Sequence, residues 1–363
     1  MKKIVFLNDG IFGYASGMST SCGGAERQQW LLAHALVNNG WMVTVGVRDL
    51  LGSGMRSSID GVNFVGIGKS QALLSWYRFL RSERPDWWYW RCAYHLWGPA
   101  VEVAKLTGVR TIFAAAFDTD VQVRRALVLR PRWWPLYAWG LMRSDRIFLQ
   151  HGGQLSALPA KWRKKAHLVP SIAGVASTMK PHVNREKYVA WVGMLREHKR
   201  PDLLIEIARQ TPNICFIVCG GSTKHRSPSG YGDEMIGRLQ SLPNVEFLGQ
   251  VSPEKAQRVI QDAAMLLSTS EGEGFPNTFL QAWSSGTPVI SLMIDPDSVI
   301  EQAGLGVVSG RIENVVRDID VLMESPQERE EIACRTRKYM DENHNEAVVV
   351  RAFSSGLSDS LGA

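Results

Sequence analysis

The sequence predicts an α/β protein made of two doubly wound parallel-sheet domains that face each other across a cleft. Two observations carry this. Short apolar runs alternate with helical patterns in both halves of the 363-residue chain, and a polar stretch at 171–187, broken by Pro181, separates the two series. At roughly 100–200 residues per domain, the length allows two or three domains. Hydrophobic residues make up 45% and charged residues 21%, which excludes a disordered or fibrous protein.

In the first half, Ile4–Leu7, Met42–Val47, Val62–Ile67, Trp87–Trp90, Thr111–Ala116 and Arg146–Gln150 read as strands. Some are continuous enough to be covered on both faces, and Trp87–Trp90 reads as core. Helix candidates lie between them, such as Ala25–Asn39, followed by Gly40, a residue suited to the left-handed position past a helix end. Beyond the linker, strands are expected at Tyr188–Gly193, Ile214–Gly220, Val245–Gly249, Met265–Thr269 and Pro288–Leu292. Helices are expected over 201–210, 233–241, 253–262, 277–285, 311–323 and 326–342. The domains are accordingly drawn at 1–175 and 176–343, with 344–363 as a separate tail.

Charge divides the same way. Residues 1–175 hold 22 Lys+Arg and 10 Asp+Glu, a balance of +12, and the remainder holds 19 and 25, a balance of −6. The basic half calls for an anionic partner: a membrane surface, a nucleic acid or a phosphorylated substrate. No apolar run approaches the roughly 18 residues of a spanning helix. Lys2 and Lys3 precede only four apolar residues before Asn8 and Asp9, so no secretory signal is expected. The five cysteines (22, 92, 215, 219, 334) lack zinc-ligand spacing, and Cys215 and Cys219 read as core packing. A soluble, reduced, cytoplasmic protein is the expectation.

Ligands of open parallel sheets bind beyond the carboxyl ends of the strands, so the loops there carry the function. Residues 8–24 read as a long glycine-rich loop, and Gly23 and Gly24 put backbone amides at a helix start where phosphate can approach. An ordinary flexible loop capped by glycines is the other reading. The Gly-Lys-Ser/Thr ending of a P-loop is absent, and the loop is too long for a dinucleotide fingerprint.

The richest segment is Ser268–Leu292, STSEGEGFPNTFLQAWSSGTPVISL. A strand ends at Thr269, a loop carries Glu271 and Glu273, and Asn277 can cap a helix running to Ser285. Glu273 therefore stands beside a helix N-terminus whose amides, Phe275 to Thr278 without Pro276, can hold a phosphate. Gln281, four residues past Asn277, adds a group suited to hydroxyls.

This segment resembles the signature of the retaining, nucleotide-sugar-dependent glycosyltransferases of family 4, which have the GT-B fold. That signature has two glutamates separated by seven residues, Glu-Gly-Phe-Pro-Asn after the first, and Gly-x-Pro-Val-Ile beyond. Gly23-Gly24-Ala25-Glu26-Arg27, the run from Trp191 through Lys199 to Glu206, Ile217–Gly221 and Phe247–Val251 also match in order and spacing. The resemblance implies two Rossmann-like domains, with residues 344–356 as a helix crossing back to the first. It implies that Glu273 bonds donor-sugar hydroxyls and that Gly274, Phe275, Pro276 and Asn277 line the sugar and diphosphate. Arg196 and Lys199 would neutralise the departing diphosphate, and backbone groups around Gly249–Pro253, Val251 among them, would meet the base. Two positions depart from the family. Its second glutamate, for the ribose, is Gln281, and its frequent arginine after the strand glycine is Met194, with Arg196 two residues on. No cofactor or metal is implied, the nucleotide-sugar being a substrate.

Many relatives carry a histidine in a first-domain loop near the reaction centre. The corresponding place is Phe117–Asp120, where Asp118 either contacts sugar or acceptor or caps a helix. His151 is a second candidate or a structural histidine, and Asp118 and Asp120 have metal-ligand spacing without a persuasive context. Residues 121–144 hold five arginines, Arg130 and Arg132 among them, with Trp133, Trp134, Tyr137 and Trp139 and no acid. Either this segment meets a lipid interface or acceptor, or its tryptophans pack inward.

The expected activity is transfer of a hexose from a nucleotide-sugar to a lipid-linked or polysaccharide acceptor at the cytoplasmic membrane face. A GT-B sugar-nucleotide epimerase and a basic nucleic-acid binder are the alternatives. Against the last, no nucleic-acid module accompanies the arginines.

Overall fold

The computed structural model describes residues 2–18, 23–69, 71–174, 180–222, 228 and 230–358. The chain falls into two compact units, Met1–Ile172 with Glu346–Ala363, and Ala173–Asn345. The expected change of domain at 175 and Cys22 lie outside the described residues.

The first unit is built on β1 (Lys3–Leu7), β2 (Met42–Val47), β3 (Arg56–Ile59), β4 (Val62–Gly66), β5 (Trp87–Arg91), β6 (Arg110–Ala114), β7 (Arg146–Leu149) and β8 (Ala166–Leu168). They form one sheet in the order β3-β4-β2-β1-β5-β6-β7-β8. Every pairing is parallel except that of β3 with β4. The order reverses between β1 and β5. Side chains alternate across the sheet: Ile4 and Phe6 join one core with Leu36, Trp41 and Phe353, and Val5 joins the other with Trp76, Trp88 and Trp97. Trp87, Trp88 and Tyr89 are buried, as the sequence suggested.

The closing helix, Glu346–Leu357, belongs to this unit. Phe353 meets Phe148 with ring centroids 5.2 Å apart, and the Arg146 Nε–H donates to the Gly356 carbonyl at 2.9 Å. The expected crossover helix is therefore present.

The glycine-rich loop needs correction. Asp9–Ala15 is a helix, and the Asn8 side chain caps it by accepting from the Gly10 amide at 2.9 Å. The second helix is Gly24–Asn38, so Gly23 is its N-cap and Gly24 already lies inside it.

The second unit holds β9 (Tyr188–Val192), β10 (Cys215–Cys219), β11 (Val245–Gly249), β12 (Met265–Ser268), β13 (Val289–Ser291) and β14 (Gly306–Val308). The sheet is wholly parallel in the order β11-β10-β9-β12-β13-β14, and its order reverses between β9 and β12. Val189 and Trp191 face one core, Tyr188 and Ala190 the other. Helices Pro201–Gln210, Tyr231–Gln240, Pro253–Asp262, Asn277–Ser284, Ile312–Glu324 and Pro326–Asn343 follow the expected rhythm. Cys219 is core, but Cys215 is exposed at the start of β10, contrary to the reading of both as packed.

Gly220 allows the loops after β9 and β10 to touch. A Cβ there would lie 1.9 Å from the Gly193 carbonyl oxygen, a backbone atom that cannot swing away.

Candidate functional site

The switch point of the second sheet brings together the loops after β9 and β12, where a ligand of an open parallel sheet is expected. The first loop leaves β9 at Gly193 and passes through Met194, Leu195 and Arg196 into a short 3₁₀ turn, Glu197–Lys199. Fully buried Leu195 anchors it, and its amide donates to the Gly221 carbonyl at 3.0 Å. Arg200 then takes the left-handed conformation (φ 50°, ψ 55°) ahead of Pro201, which opens the next helix.

The second loop is stitched to the first. The Thr269 hydroxyl donates to the Lys199 carbonyl at 2.7 Å and accepts from the Trp191 indole at 3.0 Å. The Glu271 amide donates to the His198 carbonyl at 2.8 Å. Arg200 pairs with Asp202 at 2.7 Å and also with Glu271. Those hydrogen bonds, Asp202 first, hold the Arg200 guanidinium above its ordinary range, against the opposing effect of burial.

Between these fastenings the Lys199 ammonium pairs with the Glu273 carboxylate at Oε1. Their side chains are only 20% and 13% exposed, so both charges are largely withdrawn from water. The two residues that the sequence assigned to sugar and diphosphate are thus direct partners, though 74 positions apart.

Gly274, Phe275 and Pro276 follow as buried residues, Phe275 packing on Trp283 (6.1 Å) and His344 (5.0 Å). The expected cap is corrected here. Pro276, whose ring can accept no capping bond, occupies the N-cap position and Asn277 is the first helical residue. Gln281 donates to the Gln257 side chain at 3.2 Å, and Gln257 donates back to the Gln281 carbonyl at 3.1 Å. Its amide is therefore held against the Pro253–Asp262 helix while remaining partly exposed. Val251 is half-buried just before that helix, whose N-cap Ser252 accepts from the Lys255 amide at 3.3 Å. The Met194 methyl lies beside Gly221, next to the loop after β10.

In the first unit, Asp118 opens a 3₁₀ turn after β6. Its Oδ1 accepts from His151 Nε2 at 2.8 Å and from Gln154 Nε2 at 3.1 Å, and its side chain is 46% exposed. The capping role falls to Asp120 instead, whose Oδ2 accepts from the Ala116 and Phe117 amides at 2.8 and 3.0 Å. The two aspartates thus serve separate sets of protein hydrogen bonds, Asp118 through Oδ1 and Asp120 through Oδ2.

At the start of the Gly24–Asn38 helix, the Glu26 carboxylate folds back over Gly23, so that a Cβ on Gly23 would meet its oxygen at 2.4 Å. The phosphate reading of Gly23 and Gly24 put an anion here, and the structure puts a carboxylate beside it. Of the basic segment, Trp133 and Trp139 are exposed, Trp134 is half-buried and Tyr137 is buried.

Sequence reasoning missed Thr269, Gln154, Gln257 and the Arg200–Glu271 pair. Each works through a partner distant in the chain, which spacing cannot show.

Residues 178–339 match the family model of glycosyl transferases group 1. This span contains both loops of the switch point. D-inositol 3-phosphate glycosyltransferase of Mycobacteroides abscessus is 31% identical over 139 residues, covering 36% of this chain and 30% of that protein. Alpha-galactosylglucosyldiacylglycerol synthase of Streptococcus pneumoniae is 30% identical over 125 residues, 34% of this chain and 33% of that one. The chain thus spans about a third or less of the length of these curated relatives. Sucrose-phosphate synthase of Thermosynechococcus elongatus superposes with a TM-score of 0.77 at 15% identity, covering 98% of both chains. Anabaena Alr3699/HepE in complex with UDP and glucose superposes at 0.72 and 14% identity, covering 98% of this chain and 99% of that one. The fold of the chain is that of the GT-B glycosyltransferases.

Proposed function

We propose that the chain is a retaining hexosyltransferase that takes its sugar from a nucleotide-sugar and passes it to a lipid-linked or polysaccharide acceptor. The observation that carries this is the Lys199–Glu273 pair at the β9/β12 switch point, inside the segment matching group 1 glycosyl transferases. Glu273 uses one oxygen for Lys199 and keeps the other for donor-sugar hydroxyls. Lys199, ion-paired with Glu273, offers its N–H groups to the diphosphate. A cation already fixed where negative charge grows lowers the barrier without reorganising during the step. Arg196, from the same loop, shares that neutralisation, and the reading calls for no metal or other cofactor.

Phe275, Pro276 and Asn277 supply the wall for the sugar and diphosphate, and Val251 with its neighbours faces the base. Gln281 contributes one amide to the ribose. Asp118, steadied by His151 and Gln154, leaves Oδ2 for the acceptor or the sugar. The names of the relatives support an acceptor of lipid or sugar-alcohol type, and the UDP and glucose held by HepE support the donor class.

A thermal-shift panel of UDP-, GDP-, ADP- and dTDP-sugars tests the reading. One nucleotide class should raise the melting temperature, and the rise should vanish in the double variant Lys199→Ala, Glu273→Ala. No shift with any class, or a shift that survives the double variant, defeats it. An epimeric nucleotide-sugar formed without an added acceptor, and no acceptor-dependent release of nucleotide, would turn it toward an epimerase.

A further inference from the structure

We propose that the segment 124–143 of the first unit is a docking face for an anionic lipid bilayer. Twelve side chains in this stretch are exposed, and all are arginine, proline or a large apolar residue. No serine, threonine, amide or acid stands among them, though such residues dominate ordinary exposed surface. Val128 and Leu129 are each 62% exposed, Met142 50% and Trp133 42%.

The face is built rather than loose. Ala126, Leu127, Tyr137 and Leu141 anchor it in the core, so the exposed apolar side chains are those left over after packing. Arg124 lies over the Trp134 ring at 5.3 Å, which brings the two ends of the 124–134 loop together. His95 meets Arg130 at 2.9 Å on one side and the Trp133 ring at 5.6 Å on the other. Arg143 pairs with Glu102, but among the described residues no carboxylate pairs with Arg124, Arg125, Arg130 or Arg132.

Four unneutralised guanidinium groups ask for an extended negative surface, and exposed aliphatic and indole groups ask for an apolar one beneath it. Lipid headgroups over acyl chains offer both at the required depths. Nucleic acid would satisfy the arginines and stack the indole but give Val128, Leu129 and Met142 nothing to enter. This inference stands apart from the glycosyl-transfer reading, because it uses no residue of the donor site.

Vesicle flotation of the full chain is the test, with phosphatidylcholine alone and with phosphatidylglycerol added. Floating is expected only with phosphatidylglycerol, and it should weaken as sodium chloride is raised. At about fivefold per basic residue near such a surface, Arg130→Glu with Arg132→Glu should lower the partition coefficient by at least about 25-fold. Arg209→Glu with Arg258→Glu, exposed on the second unit, should leave it unchanged. Val128→Ser with Leu129→Ser should weaken flotation while leaving any duplex-oligonucleotide binding as it was. Melting temperatures of all variants should match the parent, since only exposed side chains change. Equal flotation with both vesicle types, equal losses in the two arginine pairs, or tighter binding to oligonucleotide than to vesicles overturns the proposal. A dimer dissolved by Trp133→Ser, with flotation intact, would assign the face to a second copy and overturn it as well.

Discussion

The Trp191 indole donates to the Thr269 hydroxyl at 3.0 Å, and that hydroxyl donates onward to the Lys199 carbonyl at 2.7 Å. One buried threonine thereby fixes the separation of the loops that carry Lys199 and Glu273. Thr269→Val keeps the shape and removes both bonds, leaving a buried N–H and a carbonyl unsatisfied. The expected cost is about 1–3 kcal/mol in unfolding free energy, read by urea denaturation. Turnover should fall further than this loss of stability explains, because the Lys199–Glu273 spacing relaxes. Unchanged turnover alongside reduced stability would show that the spacing is not what the threonine serves.

The Lys199–Glu273 pair itself separates binding from chemistry. Lys199→Ala should lower kcat by about 10²–10³, the range for losing one preorganised donor to developing charge, and move KM for the donor much less. Lys199→Arg should recover part of the loss. Glu273→Gln keeps a hydrogen-bonding group but releases Lys199, so donor affinity and turnover should both decline. Initial rates of acceptor-dependent nucleotide release give these values. Equal kcat in Lys199→Ala and the parent would remove the lysine from the reaction.

The sheet strands were legible because parallel strands covered on both faces are continuous apolar runs, as in Met265–Ser268, where all four residues are buried. The strands that escaped were short or polar. β3 is Arg-Ser-Ser-Ile on the sheet edge, and β8 and β14 have three residues each. The Asp9–Ala15 helix escaped because its glycines suggested a loop, although Asn8 ahead of Asp9 was a capping signal in plain view. Lys199 and Glu273 were legible singly, through the resemblance, but their pairing was not. The same holds for the aromatic residues of the basic segment: Trp133 and Trp139 are exposed and Trp134 is half-buried, whereas the helix at Trp134–Arg143 turns Tyr137 and Leu141 inward. Composition names the residues, and packing decides which of them meet water.

Asp118 and His151 allow a test confined to the first unit. Asp118→Asn should slow transfer by about 10²-fold, within the range of a positioned acid–base group. The thermal shift given by the donor should stay as in the parent. His151→Phe removes one of the two donors that hold Oδ1, so it should reproduce a smaller part of the same defect, and His151→Gln should restore some of it. A loss of the donor shift in Asp118→Asn would mean that the carboxylate serves the donor rather than the acceptor.

His182 sets an acid limit on stability. Its ring is 1% exposed, Nε2–H donates to the Gly286 carbonyl at 2.8 Å, and among the described residues Nδ1 has no partner. Burial, then the nearby Arg185, lowers its pKa from 6.5 to about 4; the Gly286 bond and Glu330 oppose this, and Arg329 adds to it. Because the folded value lies below the unfolded one, the unfolded chain binds the extra proton first as pH falls. The stabilisation is therefore complete above about pH 6.5 and is lost progressively down to about pH 4, with a full size on the order of 3 kcal/mol. His182→Gln retains an amide N–H for Gly286 but cannot titrate. Urea midpoints measured across that window should fall more steeply in the parent than in the variant, the difference isolating this one group from the carboxylates that titrate nearby. Parallel curves would show that the imidazole accepts its proton without cost, through relaxation that brings water or an acceptor to Nδ1.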